Sequence, residues 1–330
     1  MDNSVAREAE AARLDKKDRL LLHLLDLDAR APAARLAKRV RLSKEGVAYR
    51  IRRLEETGVL RGFGAVIDFS ALGYVGGGYM IRLQHCDQKK EDEIIDYFKR
   101  MEKTWWVDSR GGDYDLGVAI YAPTHHELYD FKLEFMRRYR PHIMKVAPRI
   151  YHKMYQYPRT WLHGAAVREN ARPIVLWNAK EKPHDKIDDA ILRLISVHAR
   201  MPIVEMARTL GLTPAVVKYR LRKMEQAGII LGYRAGLDLK RLGYFWYKAD
   251  FYIRDFARRE AIMKYAASLP NVVYIYDAIG DADIEIEVEV GGADQLLSLI
   301  NSIRSKFSDE IISHDYYLWS YEHKLALVPP

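Results

Sequence analysis

The sequence predicts an α+β protein in which one two-module unit occurs twice, and three observations predict this fold class. The chain has 330 residues, too many for one ordinary hydrophobic core. Residues 14–74 align without a gap with residues 184–244. In each half a helix-rich segment is followed by a strand-rich one. We therefore expect two helical and two mixed domains, alternating along an internally duplicated chain.

Composition and charge exclude several classes of protein. The chain carries 53 Lys and Arg against 45 Asp and Glu, a net charge of +8, which is compatible with a nucleic-acid partner. Its single cysteine, Cys86, cannot form an intramolecular disulfide or a multi-cysteine zinc site and fits a reducing compartment. No apolar run approaches the ~18 residues of a membrane helix, and the charged opening MDNSVAREAEAARLDKKDR is unlike a secretory signal. We expect a cytoplasmic, nucleoid-associated protein with no membrane partner.

The first module of each half reads as three short helices and a strand. Leucines at helical spacing follow Asp15, and Pro32 suits the first turn of a second helix. Ser43 is the predicted N-cap of a third helix, which Gly58 ends. A strand is predicted at residues 59–67. In the second half, Thr213 is the predicted N-cap of the third helix, Pro214 its first residue and Gly228 its end.

Three short helices with a tight turn before the third are the helix-turn-helix pattern, here winged-helix-like because a strand follows. Such a unit reads DNA with basic and polar groups on the exposed face of its third helix. The candidate DNA-binding residues are Ser43, Lys44, Tyr49, Arg50, Arg52, Arg53, Thr213, Lys218, Tyr219, Arg220, Arg222 and Lys223. The alternative is a solvated domain whose arginines pair with Glu55, Glu56 and Glu225. The same face at matched positions in both halves favours DNA binding.

The second module of each half shows a βαββαβ order. In the first half the predicted elements are strand 80–84, helix 91–101, strands 104–109 and 116–121, helix 123–139 and strand 148–157. In the second half they are strand 245–253, helix 256–269, strands 272–279 and 284–290, helix 293–307 and strand 311–323. This order builds an antiparallel, ferredoxin-like sheet covered on one side by two helices. The bare face then needs a partner, and pairing of the two halves, with further homo-oligomerisation, would supply it.

These patterns divide the chain into six segments. They are an N-terminal tail (1–13), helix-turn-helix domain 1 (14–68), effector and dimerisation domain 1 (69–160), a linker (161–183), helix-turn-helix domain 2 (184–238) and effector and dimerisation domain 2 (239–330). The linker holds prolines, a glycine and no sustained periodicity.

An Asp-x-x-Asp turn before the helix-turn-helix, a βαββαβ module and a Gly-x-x-Asp loop occur together in each half. This combination resembles the Lrp/AsnC family of leucine-responsive, or feast/famine, transcription regulators. Residues 269–283, LPNVVYIYDAIGDAD, are particularly similar to the family pattern, whereas Trp105, Trp106 and Gly111 depart from it in the first half. Members usually hold one such unit and assemble as dimers or octamers, so this chain resembles a pre-linked dimer.

The resemblance implies sequence-specific binding of double-stranded DNA, with an effector module that senses an amino acid or a similar metabolite and needs no cofactor. Carried over residue by residue, the effector-binding positions are Gly112, Asp113, Asp115, Gly280, Asp281 and Asp283. A glycine turn can present backbone N–H groups to a carboxylate, and a neighbouring aspartate can take an ammonium group. The alternative is a tight turn with solvated aspartates.

One strand of the second half carries alternating carboxylates. Period two places Asp283, Glu285, Glu287 and Glu289 on one face, where the first half has Asp115, Gly117, Ala119 and Tyr121. Four unpaired carboxylates buried together would be unfavourable. We predict that basic residues of the first effector module, Arg82, Arg149 or Lys153, pair with this face. The alternative is Lys248 as a cross-strand partner within the same sheet.

The sequence contains no phosphate loop, dinucleotide fingerprint or Gly-x-Ser-x-Gly motif, and no histidine pair with helical zinc spacing. We expect neither enzymatic activity nor a bound metal. One enzymatic alternative remains, because sirohaem decarboxylases have a similar architecture and occur as two-part fusions; Arg82, Arg110, His142 and His152 would then meet the propionates. A DNA-architectural protein without an effector is the other alternative.

Overall fold

The computed structural model describes residues 12–164 and 172–326, so residues 1–11 of the predicted tail and 165–171 of the predicted linker lie outside it. The first half contains α1 (Lys16–Leu27), α2 (Ala33–Val40), α3 (Lys44–Glu56), β1 (Leu60–Ile67), β2 (Val75–Leu83), α4 (Gln88–Arg100), β3 (Thr104–Arg110), β4 (Leu116–Ala122), α5 (His125–Tyr139) and β5 (Ile143–Gln156). The short strand β6 (Ile174–Leu176) follows. The second half contains α6 (Lys186–Val197), α7 (Ile203–Leu210), α8 (Pro214–Ala227), β7 (Ile230–Leu237), β8 (Phe245–Ile253), α9 (Arg259–Ser268), β9 (Val272–Ile279), β10 (Ile284–Val290), α10 (Ala293–Lys306) and β11 (Ile311–Leu325). The predicted α+β class and both βαββαβ modules are confirmed.

Several boundaries differ from the sequence prediction. Strand β2 begins at Val75 rather than Met80, α4 at Gln88 rather than Glu91 and α9 at Arg259 rather than Phe256. Strand β5 begins at Ile143 rather than Pro148, because residues before Pro148 already pair with β2, a long-range contact that periodicity does not encode. The predicted linker contains β6, which pairs with the end of β5. That part of the segment is therefore a strand of the sheet rather than a free connector.

Strands β1 and β7 form a two-stranded antiparallel ribbon between the helix-turn-helix units. Its register is two-fold symmetric, since Leu60 lies opposite Leu237 and Ile67 opposite Ile230. Each unit is also tied to the strand of the other half. The Ala29 N–H donates to the Tyr233 carbonyl at 2.9 Å, and the equivalent Ala199 N–H donates to the Phe63 carbonyl at 2.8 Å. Apolar residues of both units thus form one continuous core.

The strands of the two effector modules form one sheet in the order β2-β4-β3-β11-β8-β10-β9-β5, and β2 also pairs with β5. The sheet therefore closes into an antiparallel barrel of eight strands, with β6 added outside the ring. Pairing of β3 with β11 and of β5 with β9 joins strands of different halves. Closure leaves no exposed edge among these eight strands.

The helices pack on the outer face of this barrel. In the first half Phe98 and Phe135 of α4 and α5 contact the aliphatic residues of β2, β3 and β4. In the second half Ile262 and Ile300 of α9 and α10 contact those of β8, β9 and β10. The opposite faces of the strands, including the acidic face of β10, point into the barrel. Within residues 12–164 and 172–326, no helix is long and apolar enough to cross a membrane.

Candidate nucleic-acid interface and ligand cavities

The third helices begin and end as their sequences predict. Ser43 accepts a hydrogen bond from the Gly46 N–H at 3.0 Å, and Thr213 accepts one from the Val216 N–H at 3.4 Å. Gly228, with a φ of 75°, ends α8 in the left-handed conformation that favours glycine. Buried Val47 and its counterpart Val217 hold the two helices on the core. Both helices are therefore fixed with their opposite faces exposed.

Four of the predicted DNA-binding residues are held by carboxylates at the start of the first helix of their unit. Arg50 contacts Asp15 at 2.8 Å and Asp18 at 2.7 Å, and Arg53 contacts Asp18 at 2.6 Å. The second half repeats this cluster with Arg220, Lys223, Asp185 and Asp188. The alternative partners Glu55, Glu56 and Glu225 do not take these positions. Because Asp18 and Asp188 are each 1% exposed, the pairs brace α3 on α1 and α8 on α6.

Six other predicted residues remain on the exposed face. Tyr49 and Tyr219 are 64% and 68% exposed. Four cations lie beside them on the surface and form no ion pair among the described residues; they are Lys44, Arg52, Lys218 and Arg222. Tyr49 and Arg52 therefore match Tyr219 and Arg222 on two helices that a two-fold ribbon relates, whereas Lys44 aligns with Pro214 and Lys218 with Ala48. Guanidinium, ammonium and phenol groups in this arrangement can contact phosphates, sugars and base edges.

The Gly-Asp loops divide into structural and cavity-lining residues. Asp115 accepts a hydrogen bond from the Leu83 N–H at 2.6 Å, and Asp283 accepts one from the Ile253 N–H at 2.9 Å. These two carboxylates cap equivalent strand ends. Gly280 approaches the barrel interior, where a Cβ atom would lie 3.2 Å from the Glu285 carboxylate.

The remaining predicted effector residues lie together at a cavity of about 200 Å³. Gly112 and Asp113 line it from the first half and Asp281 from the second. The Tyr114 hydroxyl donates to Asp281 at 2.8 Å and joins the two loops. Arg149 also lines the cavity, so carboxylates and a guanidinium face the same space. This combination suits a small zwitterion.

The acidic strand finds partners from both halves. Arg149 lies 3.0 Å from Glu285, as predicted, and Lys248, the within-sheet alternative, contacts the same carboxylate. Arg82 instead contacts Asp115, and Lys153 forms no ion pair among the described residues. Sequence reasoning missed Arg159, which binds Glu289 at 2.8 Å and Asp26 at 2.9 Å. Its position just after β5 was the available signal.

Among the residues that the structure describes, no cation is in direct contact with Glu287. It accepts a hydrogen bond from the Tyr276 hydroxyl at 2.7 Å. Burial raises the pKa of Glu287 to about 7, although the Lys248 ammonium and the Tyr276 hydrogen bond act in the opposite direction. Asp26 behaves differently. Burial raises its pKa, but the Arg234 and Arg159 guanidinium groups outweigh burial, so the pKa of Asp26 lies below its ordinary value.

A larger cavity of about 360 Å³ lies between the β1–β7 ribbon and the barrel interior. We call it the central cavity. Trp105, Trp106, Trp177, Trp246 and Trp319 line it, so the departure of the first half at Trp105 and Trp106 forms part of its wall. Gly78 and Ala119 leave room on the side of the first half.

The residues named for a tetrapyrrole enzyme do not converge. Arg110 lines the central cavity but is paired with Asp108, and Arg82 lies at the Gly-Asp loop. His142 contacts the His85 carbonyl at 3.1 Å, and His152 does not line the cavity. In the described ranges, no three His, Cys, Asp or Glu side chains lie close enough to hold a metal ion.

Comparison with known proteins identifies both helical units as DNA-binding domains. Residues 14–55 match an AsnC-type helix-turn-helix domain, and residues 184–230 match a winged helix-turn-helix DNA-binding domain. These matches cover the segments that contain α3 and α8. Both halves therefore carry a helix-turn-helix of a known DNA-binding class.

Relatives extend the match beyond these domains. The chain is 31% identical over 130 residues to the regulatory protein AsnC of Haemophilus influenzae, covering 39% of this chain and 86% of the relative. It is 42% identical over 108 residues to the proline dehydrogenase transcriptional activator of Rhodobacter capsulatus, covering 32% of this chain and 70% of the relative. The chain belongs to the Lrp/AsnC family of transcription regulators, which confirms the resemblance seen in the sequence.

A solved structure matches the whole chain. The siroheme decarboxylase NirDL, in complex with an iron-uroporphyrin III analogue, superimposes with a TM-score of 0.65. The match covers 96% of this chain and 94% of that one at 14% identity. At this identity the likeness concerns the fold alone: a tandem arrangement with the same architecture exists in another protein.

Proposed function

We propose that this chain is a sequence-specific DNA-binding regulator in which α3 and α8 read two parts of one operator. The observation that carries the proposal is the recurrence of Tyr49 and Arg52 as Tyr219 and Arg222 on exposed helix faces. Each helix also presents an exposed lysine, Lys44 on α3 and Lys218 on α8, at positions that do not match. A helix-turn-helix that lies in the major groove needs these groups on that face. Because the halves differ in sequence, the preferred operator is less palindromic than that of a homodimer.

Selection of bound sequences from random DNA, followed by fluorescence anisotropy, tests this proposal. Arg52→Ala and Arg222→Ala should each weaken binding, and each should reduce the slope of log affinity against log salt by about one. Arg100→Ala is the matched control, because Arg100 is 83% exposed on an effector-module helix. Unchanged affinity in both recognition-helix variants would refute the role of α3 and α8. Binding with a steep salt slope but no enriched sequence would favour an architectural protein.

We further propose that an amino acid or a related metabolite binds at the Gly-Asp loops and modulates DNA binding. The support is the meeting of Gly112, Asp113 and Asp281 with Arg149 around the smaller cavity. A thermal-shift screen of the amino acids should find one that raises the melting temperature. Asp281→Asn should abolish that shift, whereas Asp96→Asn on α4, 49% exposed, should leave it unchanged. If no amino acid raises the melting temperature, the result would favour a regulator without an effector.

We also propose that the two halves of one chain take the place of a homodimer, and that chains associate further. The cross-half pairs β1–β7, β3–β11 and β5–β9 support the first part. Light scattering after size exclusion, at protein concentrations 100-fold apart, tests the second. A constant mass of one chain at every concentration would exclude further association.

A tetrapyrrole enzyme is the second candidate. It is favoured by the similarity of the fold, over 96% of this chain, to that of siroheme decarboxylase NirDL. It ranks below the regulator because Arg110, Arg149 and Arg159 are already paired with carboxylates. No histidine stands among the described residues that line the central cavity. Titration with iron uroporphyrin distinguishes the two: a saturable Soret shift without DNA affinity would favour the enzyme.

A further inference from the structure

The central cavity collects buried polar atoms that lack partners. Among the described residues, nine buried side-chain nitrogen or oxygen atoms have no hydrogen-bond partner, and six of them belong to residues that line this cavity. These six are Trp105 Nε1, Arg110 Nη1, Gln156 Oε1, Arg234 Nε, Trp246 Nε1 and Trp319 Nε1. An unsatisfied buried polar group is unfavourable and therefore rare in a folded protein. Their concentration around one space indicates a binding site.

The unpartnered atoms are strongly biased toward donors. Three are indole N–H groups and two are guanidinium N–H groups, against the single amide oxygen of Gln156. A compound that satisfies them must present hydrogen-bond acceptors. Carbonyl oxygens suit this requirement because each can accept two hydrogen bonds.

The cations that line the cavity are already paired with carboxylates. Arg110 pairs with Asp108, and Arg149 and Lys248 share Glu285. Arg159 and Arg234, which also line the cavity, both contact Asp26, and Arg159 also contacts Glu289. An anionic ligand would bury a further charge without a free cation among the described residues, which is unfavourable. A cationic group would offer no acceptor to the unpartnered N–H groups. The ligand should therefore be neutral.

The walls of the cavity are flat and aromatic. Trp246 stacks on Trp319 with ring centroids 5.4 Å apart and an angle of 22° between the planes. It stacks on Tyr274 at 6.0 Å and 9°. Roughly parallel rings favour a planar guest. The volume of about 360 Å³ lies in the range of pockets for small organic ligands.

We propose that the central cavity binds an uncharged, planar aromatic compound whose carbonyl oxygens accept hydrogen bonds from the indole N–H groups of Trp105, Trp246 and Trp319. This site differs from the cavity at the Gly-Asp loops, which contains several carboxylates and takes a different class of ligand. It lies against the ribbon that joins the two helix-turn-helix units, so its occupant contacts β1 and β7 directly.

Intrinsic fluorescence gives a direct readout, because five of the six tryptophans line the cavity. Three probes of similar size separate the requirements: coumarin is neutral and has a carbonyl, naphthalene lacks acceptors, and coumarin-3-carboxylate is charged. Coumarin should quench the fluorescence of the full chain saturably, after correction for absorbance, and raise its melting temperature. Naphthalene should bind at least about 10-fold more weakly, as expected from the loss of two hydrogen bonds.

Variants assign the response to the cavity. Trp246→Phe and Trp319→Phe keep a ring but remove the N–H donor, so each should weaken coumarin binding about fivefold. Trp161→Phe is the matched control, since Trp161 does not line the cavity and its N–H donates to Glu289. Ala235→Leu should fill the space and abolish binding, with circular dichroism and the melting temperature showing that the variant is folded.

Four results would overturn the proposal. Absence of saturable coumarin binding would mean that water alone satisfies the donors. Equal affinities for naphthalene and coumarin would refute the role of the N–H groups, and tighter binding of coumarin-3-carboxylate would refute the preference for a neutral ligand. Full binding by the folded Ala235→Leu variant would place the probe elsewhere.

Discussion

The two halves are alike at their helix-turn-helix units and unlike inside the barrel. The Arg50–Asp15 pair recurs as Arg220–Asp185, with N–O distances of 2.8 and 2.7 Å. Inside the barrel, the second half has the Lys248–Glu285 ion pair where the matched positions of the first half are Gly78 and Gly117. A two-fold surface thus surrounds an asymmetric interior. Because one chain encodes each half separately, the interior can differ while the recognition helices stay equivalent.

The largest effect should come from removing Arg159, which joins the asymmetric interior to α1. Arg159→Ala leaves Glu289 and Asp26 buried with fewer counter-charges and should lower the free energy of unfolding by about 3–5 kcal/mol. Urea unfolding measures this. Arg61→Ala removes a pair whose arginine is 57% exposed and should change stability by less than about 1 kcal/mol. Equal losses in the two variants would contradict the buried network.

Glu287 should make the stability of the interior depend on pH. Its pKa in the folded chain, about 7, lies above its ordinary value of 4.5, so folding favours the protonated form. This contribution is fully present below about pH 4.5 and is lost as the pH rises through 7. As the pH rises from 5 to 8, the free energy of unfolding of the wild type, measured with urea, should fall by roughly 2–3 kcal/mol more than that of Glu287→Gln. Glu56→Gln is the control, because Glu56 is exposed, and its pH profile should follow that of the wild type. If the profile of Glu287→Gln also runs parallel to that of the wild type, Glu287 is not the group responsible.

Gly117 tests why the first half lacks the acidic side chains. A Cβ atom there would lie 2.3 Å from Asp108 Oδ1 and would also overlap the Arg110 guanidinium. Gly117→Ala should therefore lower the free energy of unfolding by about 1–3 kcal/mol. Gly111→Ala is the control, because no atom of the described part of the chain lies within 4 Å of its Cβ position. An unchanged free energy of unfolding in Gly117→Ala would mean that the Asp108–Arg110 pair can move aside freely.

The smallest effect concerns the symmetric surface. Arg50→Ala removes contacts to Asp15 and to buried Asp18 and should lower stability by about 1–2 kcal/mol. Arg52→Ala should change it by less than about 0.5 kcal/mol, because Arg52 is exposed. Melting temperatures of the two variants check this difference. A larger loss for Arg52→Ala would reverse the roles of the two arginines.

Local features were predictable, whereas contacts between distant segments were not. The caps Ser43 and Thr213 and the βαββαβ order follow from short-range signals. The pairing of β3 with β11, and hence the closed barrel, joins segments that no periodicity relates. Arg50 looked free because helical spacing identifies an exposed face but not an ion pair with another helix. The recurrence of Asp15 and Asp18 as Asp185 and Asp188 was the signal that could have indicated it.

The candidate ligand sites show the same division. The Gly-Asp loops were found from a motif, and three of their six predicted residues line a cavity. The central cavity could not be predicted, because its tryptophans come from both halves and meet only when the barrel closes. Trp105 and Trp106 were the single visible sign of it.

The symmetric ribbon of β1 and β7 has a consequence for dilution and for mutation. In a homodimer such a ribbon separates when subunits are scarce, whereas here one polypeptide supplies both strands at a fixed ratio of one to one. A substitution in a homodimer alters both strands at once, but a substitution in this chain alters one strand and leaves the other as a reference. The effect of a substitution in one strand of the ribbon can therefore be compared with the unsubstituted strand in the same molecule.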